Sequence, residues 1–154
     1  MLDAEETSSQ PAVNDTSPAH FVVQHHTGYG QEHWDLMLED GPMLATWRLD
    51  QPPGTTPDTP TRAVRIGDHR KAYLTYRGPI SRGRGRVAIY DSGGYTLLAR
   101  GDRTWVFELR GTRLSGVFSL RRQTAASSPP EVWELRREEA TPSSGPGASD
   151  RSVV

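Results

Sequence analysis

Three histidines and one aspartate form the densest group of metal-ligating side chains in the sequence: His25 and His26, then His33-Trp34-Asp35. If the segment around Asp35 is a strand, His33 and Asp35 project from one face, about 7 Å apart along the chain. The intervening TGYGQE carries two glycines and can turn the chain back, which would set His26 across from His33 in an antiparallel pair. Two imidazoles and a carboxylate on one side leave coordination positions open for water or substrate, as in a catalytic divalent site. Mn²⁺, Zn²⁺ and Fe²⁺ all suit these donors. The chain has no cysteine, so any metal must be held by His and carboxylates. Read without a ligand, the same residues are ordinary surface or half-buried histidines, and spacing alone does not separate the two readings.

A second group is Asp68-His69 with Tyr73, in which an imidazole can pass a proton to a leaving oxygen and a phenol can bind a phosphoryl oxygen. The plainer alternative is a turn histidine and a core tyrosine. A third is the arginine run Arg77, Arg82, Arg84 and Arg86 in YRGPISRGRGR, where planar guanidinium forks suit phosphate and the glycines allow close backbone approach to a polyanion. A solvated basic face is the competing reading. Charge is segregated along the chain although the net value is only −1. Residues 21–123 carry 15 basic and 10 acidic groups, and residues 62–86 carry eight basic groups against one acid, Asp68. A basic body with one candidate metal site points to phosphate chemistry. There is no Walker loop, GxSxG, HExxH or dinucleotide-binding GxGxxG.

Positioning these groups falls to short Val-, Ile-, Leu- and aromatic-rich runs, broken every 8 to 12 residues by Gly, Pro or Asp. This rhythm predicts an all-β fold, a compact antiparallel β-barrel with short or no helices. The expected strands are 20–25, 33–39, 43–49, 62–67, 71–76, 85–91, 95–100, 103–110, 116–122 and 131–136. In RTWVFEL, Trp105, Phe107 and Leu109 alternate with Val106 and Glu108, giving one apolar face. Asp91-Ser92-Gly93-Gly94 reads as a hairpin turn, and residues 50–61 as a long Pro-rich loop that is either functional or floppy. Composition divides the chain into an acidic disordered tail (1–19), one domain (20–137, with a linker-like loop at 124–130) and a second disordered tail (138–154). No apolar run is long enough to span a bilayer, and the acidic opening MLDAEETSSQ does not read as a leader. The lack of any disulfide framework suits a reducing cytoplasm, the expected location.

Taken in order, FVVQHH, HWDLMLED, LATW, GDHRKAY and VAIYDSGGY resemble the 3′-phosphoesterase domain of bacterial DNA ligase D. That family typically reads FVVQ-x-H, H-x-D-x-x-x-E, S-W, D-H-P-x-x-Y and W-D-x-G. The resemblance covers about residues 20–136 and continues through FELRGTRLSGVFSLRR and VWELRR. It implies a compact β-barrel that heals DNA 3′ ends in repair by non-homologous end joining. The implied activity is Mn²⁺-dependent removal of a terminal 3′-ribonucleoside and then the 3′-phosphate, with a DNA ligase or end-joining proteins as partners. On this match His26, His33 and Asp35 are the metal ligands, and His69 and Tyr73 are the catalytic pair that contacts phosphate.

The departures matter as much. Six residues separate His26 from His33 where the family usually has five, Arg70 replaces the Pro after the DH pair, and the Gly-rich segment shortens to SRGRG. Met37 and Gln51 occupy positions where the family has an Arg and a Lys that contact the scissile phosphate. Loss of one such donor typically costs about 10²- to 10³-fold in rate. His25, Arg48 and Arg62 are the nearest replacement cations, with Arg82, Arg84 and Arg86 gripping the strand backbone. The length leaves no room for ligase or polymerase modules, so a stand-alone, divergent member is expected. Two rival readings are a non-catalytic module that binds metal and nucleic-acid ends, and a phosphoesterase acting on small nucleotides or RNA.

Overall fold

The computed structural model describes residues 18–125 and 129–138. The two expected tails fall outside these residues, apart from Pro18, Ala19 and Glu138, as does part of the expected loop at 124–130. The described chain runs β1 (Ala19–Thr27), β2 (His33–Asp40), β3 (Met43–Leu49), β4 (Thr61–Arg70), a 3₁₀ turn (Lys71–Leu74), β5 (Gly78–Pro79), β6 (Arg86–Arg100), β7 (Thr104–Arg110), β8 (Ser115–Arg122) and β9 (Val132–Arg137). Strand order is β1-β2-β3-β4-β9-β8-β7-β6, and β6 pairs back onto β1. Eight antiparallel strands thus close a barrel, and β5 adds two residues beside the start of β6. The all-β expectation holds.

Period-2 alternation sends the large apolar side chains inward. Phe21 and Val23 of β1, Leu36 and Leu38 of β2, Trp47 and Leu49 of β3, and Trp105, Phe107 and Leu109 of β7 are all buried in one cluster. Trp47 meets Trp105 and Trp133 edge-to-face at 5.1 and 5.6 Å, the geometry that aromatic quadrupoles favour.

Two expectations fail for identifiable reasons. Residues 71–76 are not a strand but a 3₁₀ turn and its exit, lying across the outside of the barrel. There Tyr73 and Leu74 pack against a second apolar cluster formed by the outward residues Val22, Met37 and Leu44. Asp91–Gly94 is not a hairpin turn either. It lies inside the 15-residue β6, whose first part pairs with β1 and whose last part pairs with β7. Gly93 is needed because a Cβ there would come within 2.1 Å of the Arg110 carbonyl oxygen. Asp91 is buried, and its carboxylate accepts the amides of Thr112, Arg113 and Leu114 at 2.9, 3.0 and 2.8 Å. It ties the β7–β8 turn to the closing strand.

The Pro-rich loop is held down: Arg136 donates to the Pro57 carbonyl at 2.8 Å, the Gly54 amide donates to Thr61 Oγ1 at 3.0 Å, and Pro53 is buried. The segment from Lys71 to Gly85, the strap, is tied at three points. Lys71 pairs with Glu39 at 3.0 Å. The buried Gln24 amide donates to the carbonyls of Tyr73 and Tyr76 at 3.0 and 3.1 Å. At the far end Gly85 (φ 81°) lies so close to β1 that a Cβ would sit 2.1 Å from the Thr27 oxygen.

Two outcomes follow from these ties. Asp91→Asn turns an NH₂ toward amide donors, so the urea midpoint should fall by the equivalent of about 2 kcal/mol with an unchanged slope. Burial raises the Glu39 carboxyl, but hydrogen bonds from Lys71 and the His20 amide more than offset it and leave the group below its ordinary value of 4.5. Its contribution is therefore complete above that value and is lost as pH falls through the folded one. In paired urea titrations, the gap between wild type and Glu39→Gln should be open at pH 7 and should narrow progressively as the pH is taken below 4.5.

Candidate metal and phosphate cleft

The antiparallel register of β1 and β2 sets His26 directly across from His33 and Gln24 across from Asp35. On β3, Arg48 lies opposite Asp35 and Thr46 opposite Met37. Because Phe21, Val23, Leu36 and Leu38 point inward, the alternate set of Gln24, His26, His33, Asp35, Met37 and Arg48 faces outward. The chemistry sits on the outer wall of the barrel, under the strap.

Each ligand-type imidazole has one nitrogen committed to a backbone carbonyl. His26 Nε2 donates to the Arg84 oxygen at 2.7 Å, and His33 Nδ1 donates to the Gln31 oxygen at 3.0 Å. Such outer hydrogen bonds fix the tautomer and aim the other nitrogen at a metal. The inner nitrogens, His26 Nδ1 and His33 Nε2, lie 3.1 Å apart, and Asp35 Oδ2 is 3.4 Å from His33 Nε2. Two lone pairs at that distance repel unless a proton or a cation lies between them. The hydrogen bond to Asp35 holds the His33 imidazole above its ordinary pKa of 6.5. Burial raises the Asp35 carboxyl, but His33 and the Arg48 guanidinium, 3.2 Å away, leave it below its ordinary range. Imidazole and carboxylate are the donor types of a Mn²⁺, Fe²⁺ or Zn²⁺ site, but among the described residues no three His, Asp or Glu side chains are grouped so as to hold a metal ion as they stand.

A cleft of about 460 Å³ opens on this pair, lined by His26, His33, Arg48, Asp50, Ile80 and Arg84, with Tyr29 at its rim. Of the expected phosphate cations, Arg48 and Arg84 reach it. Arg62 pairs with Asp50 at 3.6 Å and stands beside it. Arg82 and Arg86 are exposed and line no cavity found on the described residues. His25 points to the opposite face of β1, stacked on Trp34 at 4.5 Å and bonded to Glu32 at 2.5 Å, so it does not replace a cleft cation. Alternation along β1 explains this: of two adjacent histidines, only one can face the cleft.

His69 and Tyr73 do meet, edge-to-face at 5.3 Å. In register, however, His69 lies opposite Leu44, four residues along β3 from Arg48 and hence about 13 Å down the wall. Tyr73 lines a neighbouring cavity formed by the strap itself and Arg70. Met37 is fully buried beneath the strap, and Gln51 is exposed at the start of the loop after β3. The glycines of the arginine run serve the fold: Gly85 lets the strap approach Thr27, and Gly83 (φ 66°) makes the turn. Gln24 was missed from sequence, since nothing in FVVQHH distinguishes an outward amide that pins a distant segment.

A sequence model of the DNA Ligase D 3′-phosphoesterase domain matches residues 23–122. The chain belongs to that family. Multifunctional non-homologous end joining protein LigD of Pseudomonas aeruginosa is 29% identical over 126 residues. That match covers 75% of this chain but only 15% of the larger protein. The matched region contains both imidazoles, Asp35, Arg48, Arg84, His69 and Tyr73.

The facing imidazoles give a test that needs no turnover. Mn²⁺ at 100 times its Kd should raise stability by about 2.7 kcal/mol, read as a thermal shift that a chelator removes. His33→Ala and Asp35→Ala should each abolish the shift, whereas His25→Ala should keep it.

Proposed function

We propose that this phosphoesterase-family domain processes DNA 3′ ends in repair. On this reading it removes a 3′-phosphate or a terminal 3′-ribonucleoside as a Mn²⁺-dependent hydrolase, in concert with a DNA ligase or other end-joining proteins. The observation that carries the reading is the pair of pre-oriented imidazoles beside Asp35 in a cleft whose other cationic walls are Arg48 and Arg84. When bound by His26, His33 and Asp35, a divalent cation would supply a Lewis acid for a phosphoryl oxygen and lower the pKa of water.

The remaining work falls to this chain's own groups. Arg48 is held on Asp35 Oδ1, so its guanidinium is positioned before substrate arrives, and its remaining N–H groups can take phosphate oxygens. Arg84 is braced by Ser81, with Nε donating to the carbonyl at 2.9 Å, and gives the cleft a second fixed cation. The family motif gives His69 and Tyr73 the roles of proton donor to the leaving oxygen and hydrogen-bond donor to phosphate, and in this chain the pair stands about 13 Å along the wall from Arg48, so those roles require a substrate that reaches beyond the cleft. Arg82 and Arg86, exposed beyond the cleft, hold the strand backbone without reading bases.

One observation favours the second reading, a metal- and end-binding module without turnover. Met37 lies where the family carries a phosphate-contacting Arg, and it is sealed under Tyr73 and Leu74. A 5′-labelled primer–template ending in a 3′-phosphate or one ribonucleotide decides between the two. Hydrolysis should yield a 3′-hydroxyl end with Mn²⁺, and none with chelator or with His33→Ala. His69→Ala should cut turnover about 10²-fold or more while DNA binding persists. Binding without product, in the loaded wild type, selects the end-binding module. Arg84→Ala should reduce the slope of log affinity against log salt by about 1.

A further inference from the structure

A second cavity, of about 370 Å³, is formed by residues of the strap and Arg70 next to the cation cleft, and the two share Ile80 and Arg84. Its walls include Tyr73, Tyr76, Pro79 and Ile80, and its only charged lining residues are Arg70 and Arg84, with no acid. The volume falls in the range of small-ligand sites and suits one nucleoside.

The aromatic wall is built rather than loose. Tyr73 and Tyr76 meet edge-to-face at 6.2 Å, and the Arg70 guanidinium lies 5.9 Å from the Tyr73 ring. The Tyr76 hydroxyl donates to the Pro79 carbonyl, which fixes the ring, while 36% of the residue stays open to solvent. Both tyrosine carbonyls are held by Gln24, and the Arg84 carbonyl by His26, two residues further along the same outward face of β1. One strand therefore sets the aromatic cavity and the imidazole pair in fixed relation.

We infer that this cavity receives the nucleobase of the nucleoside whose 3′-oxygen carries the scissile phosphate, stacked on Tyr76. The inference deepens the end-processing reading and rests on the cleft being its phosphate site. A phosphate bound at Arg84 places the attached nucleoside on one side or the other of that residue. The side away from the imidazoles is aromatic, cationic at its edges and free of lining carboxylates, which matches a base and its phosphodiester. The same nucleoside is present whether the blocking group is a phosphate or a ribonucleoside, so one pocket serves both ends. Stacking of this kind tolerates any base, because every base has a π-face.

The test is a cycle on equilibrium binding, read by anisotropy of a 5′-fluorescein oligonucleotide with a 3′-phosphate in chelator, so that nothing turns over. The last nucleoside is either normal or abasic, and the protein is wild type, Tyr76→Phe or Tyr76→Ala. Removing the base should weaken wild-type binding about tenfold, and Tyr76→Ala should do the same to the base-bearing end. Neither change should add to the other, and Tyr76→Phe should retain most of the affinity. Additive losses, equal affinity for the two ends, or no binding at all would overturn the inference. The abasic comparison on wild type stands even if Tyr76→Ala does not fold. Hydrolysis of both ends with equal affinity would sink the pocket and leave the enzyme reading intact; base-dependent binding without hydrolysis would do the reverse.

Discussion

All four tryptophans and all three phenylalanines of the sequence are buried in the barrel interior, and side chains of this bulk fill the narrow space that eight strands enclose. This constraint orders the rest of the molecule. A full interior leaves no room for substrate, so polar chemistry must sit on the outer wall. A strand face in open water holds side chains loosely, and that wall needs a cover. The strap from Lys71 to Gly85 is the cover, and it makes β1, β2 and β3 buried on both faces at Val22, Met37 and Leu44.

The same constraint explains which parts of the sequence were legible. The inward set reads at a glance, because Trp105, Phe107 and Leu109 recur at every second position of TWVFEL and give one large apolar face. The pairing of His26 with His33 was also within reach, since a short Gly-containing turn between two strands fixes the register. What alternation cannot show is a strand that changes neighbours. Asp91–Gly94 has the composition of a turn, but its aspartate is spent on three amides of a different turn and its glycine on clearance from Arg110. Nor does composition reveal that KAYL covers an outer apolar cluster rather than joining the sheet. That depends on Met37 and Leu44, more than 25 residues upstream, facing outward.

The electrostatics of the cleft are shaped by an apolar side chain, Met37, in the outward row of β2 beside it. With Met37 at the middle of the outward row on β2, the cover can close by apolar contact, which a cation there would oppose through the cost of burying a charge. The positive charge of the cleft then comes from two other elements: Arg48 across the sheet on β3, and Arg84 on the strap. Arg48 is positioned by Asp35, one of the groups that would hold a metal. The carboxylate divides its two oxygens, one toward Arg48 and one toward His33. The imidazole pair and Arg48 are therefore linked through one shared carboxylate, so a change in the charge of one is felt by the other.

The strap's contribution is therefore more than a roof. Its backbone carbonyls, otherwise unpaired in a segment outside the sheet, are consumed by outward side chains of β1: Tyr73 and Tyr76 by Gln24, Arg84 by His26. An imidazole that donates Nε2 to the strap must present Nδ1 to His33, so docking of the strap selects the tautomer competent to receive a cation. Conversely, a His26 drawn toward a cation keeps its donor toward Arg84 and holds the arginine in the cleft. The imidazole pair, the Arg84 guanidinium and the aromatic wall are thus positioned through two successive outward groups of one short strand, Gln24 and His26. This economy explains how a barrel with a filled interior can still assemble a polar cleft on its outer wall.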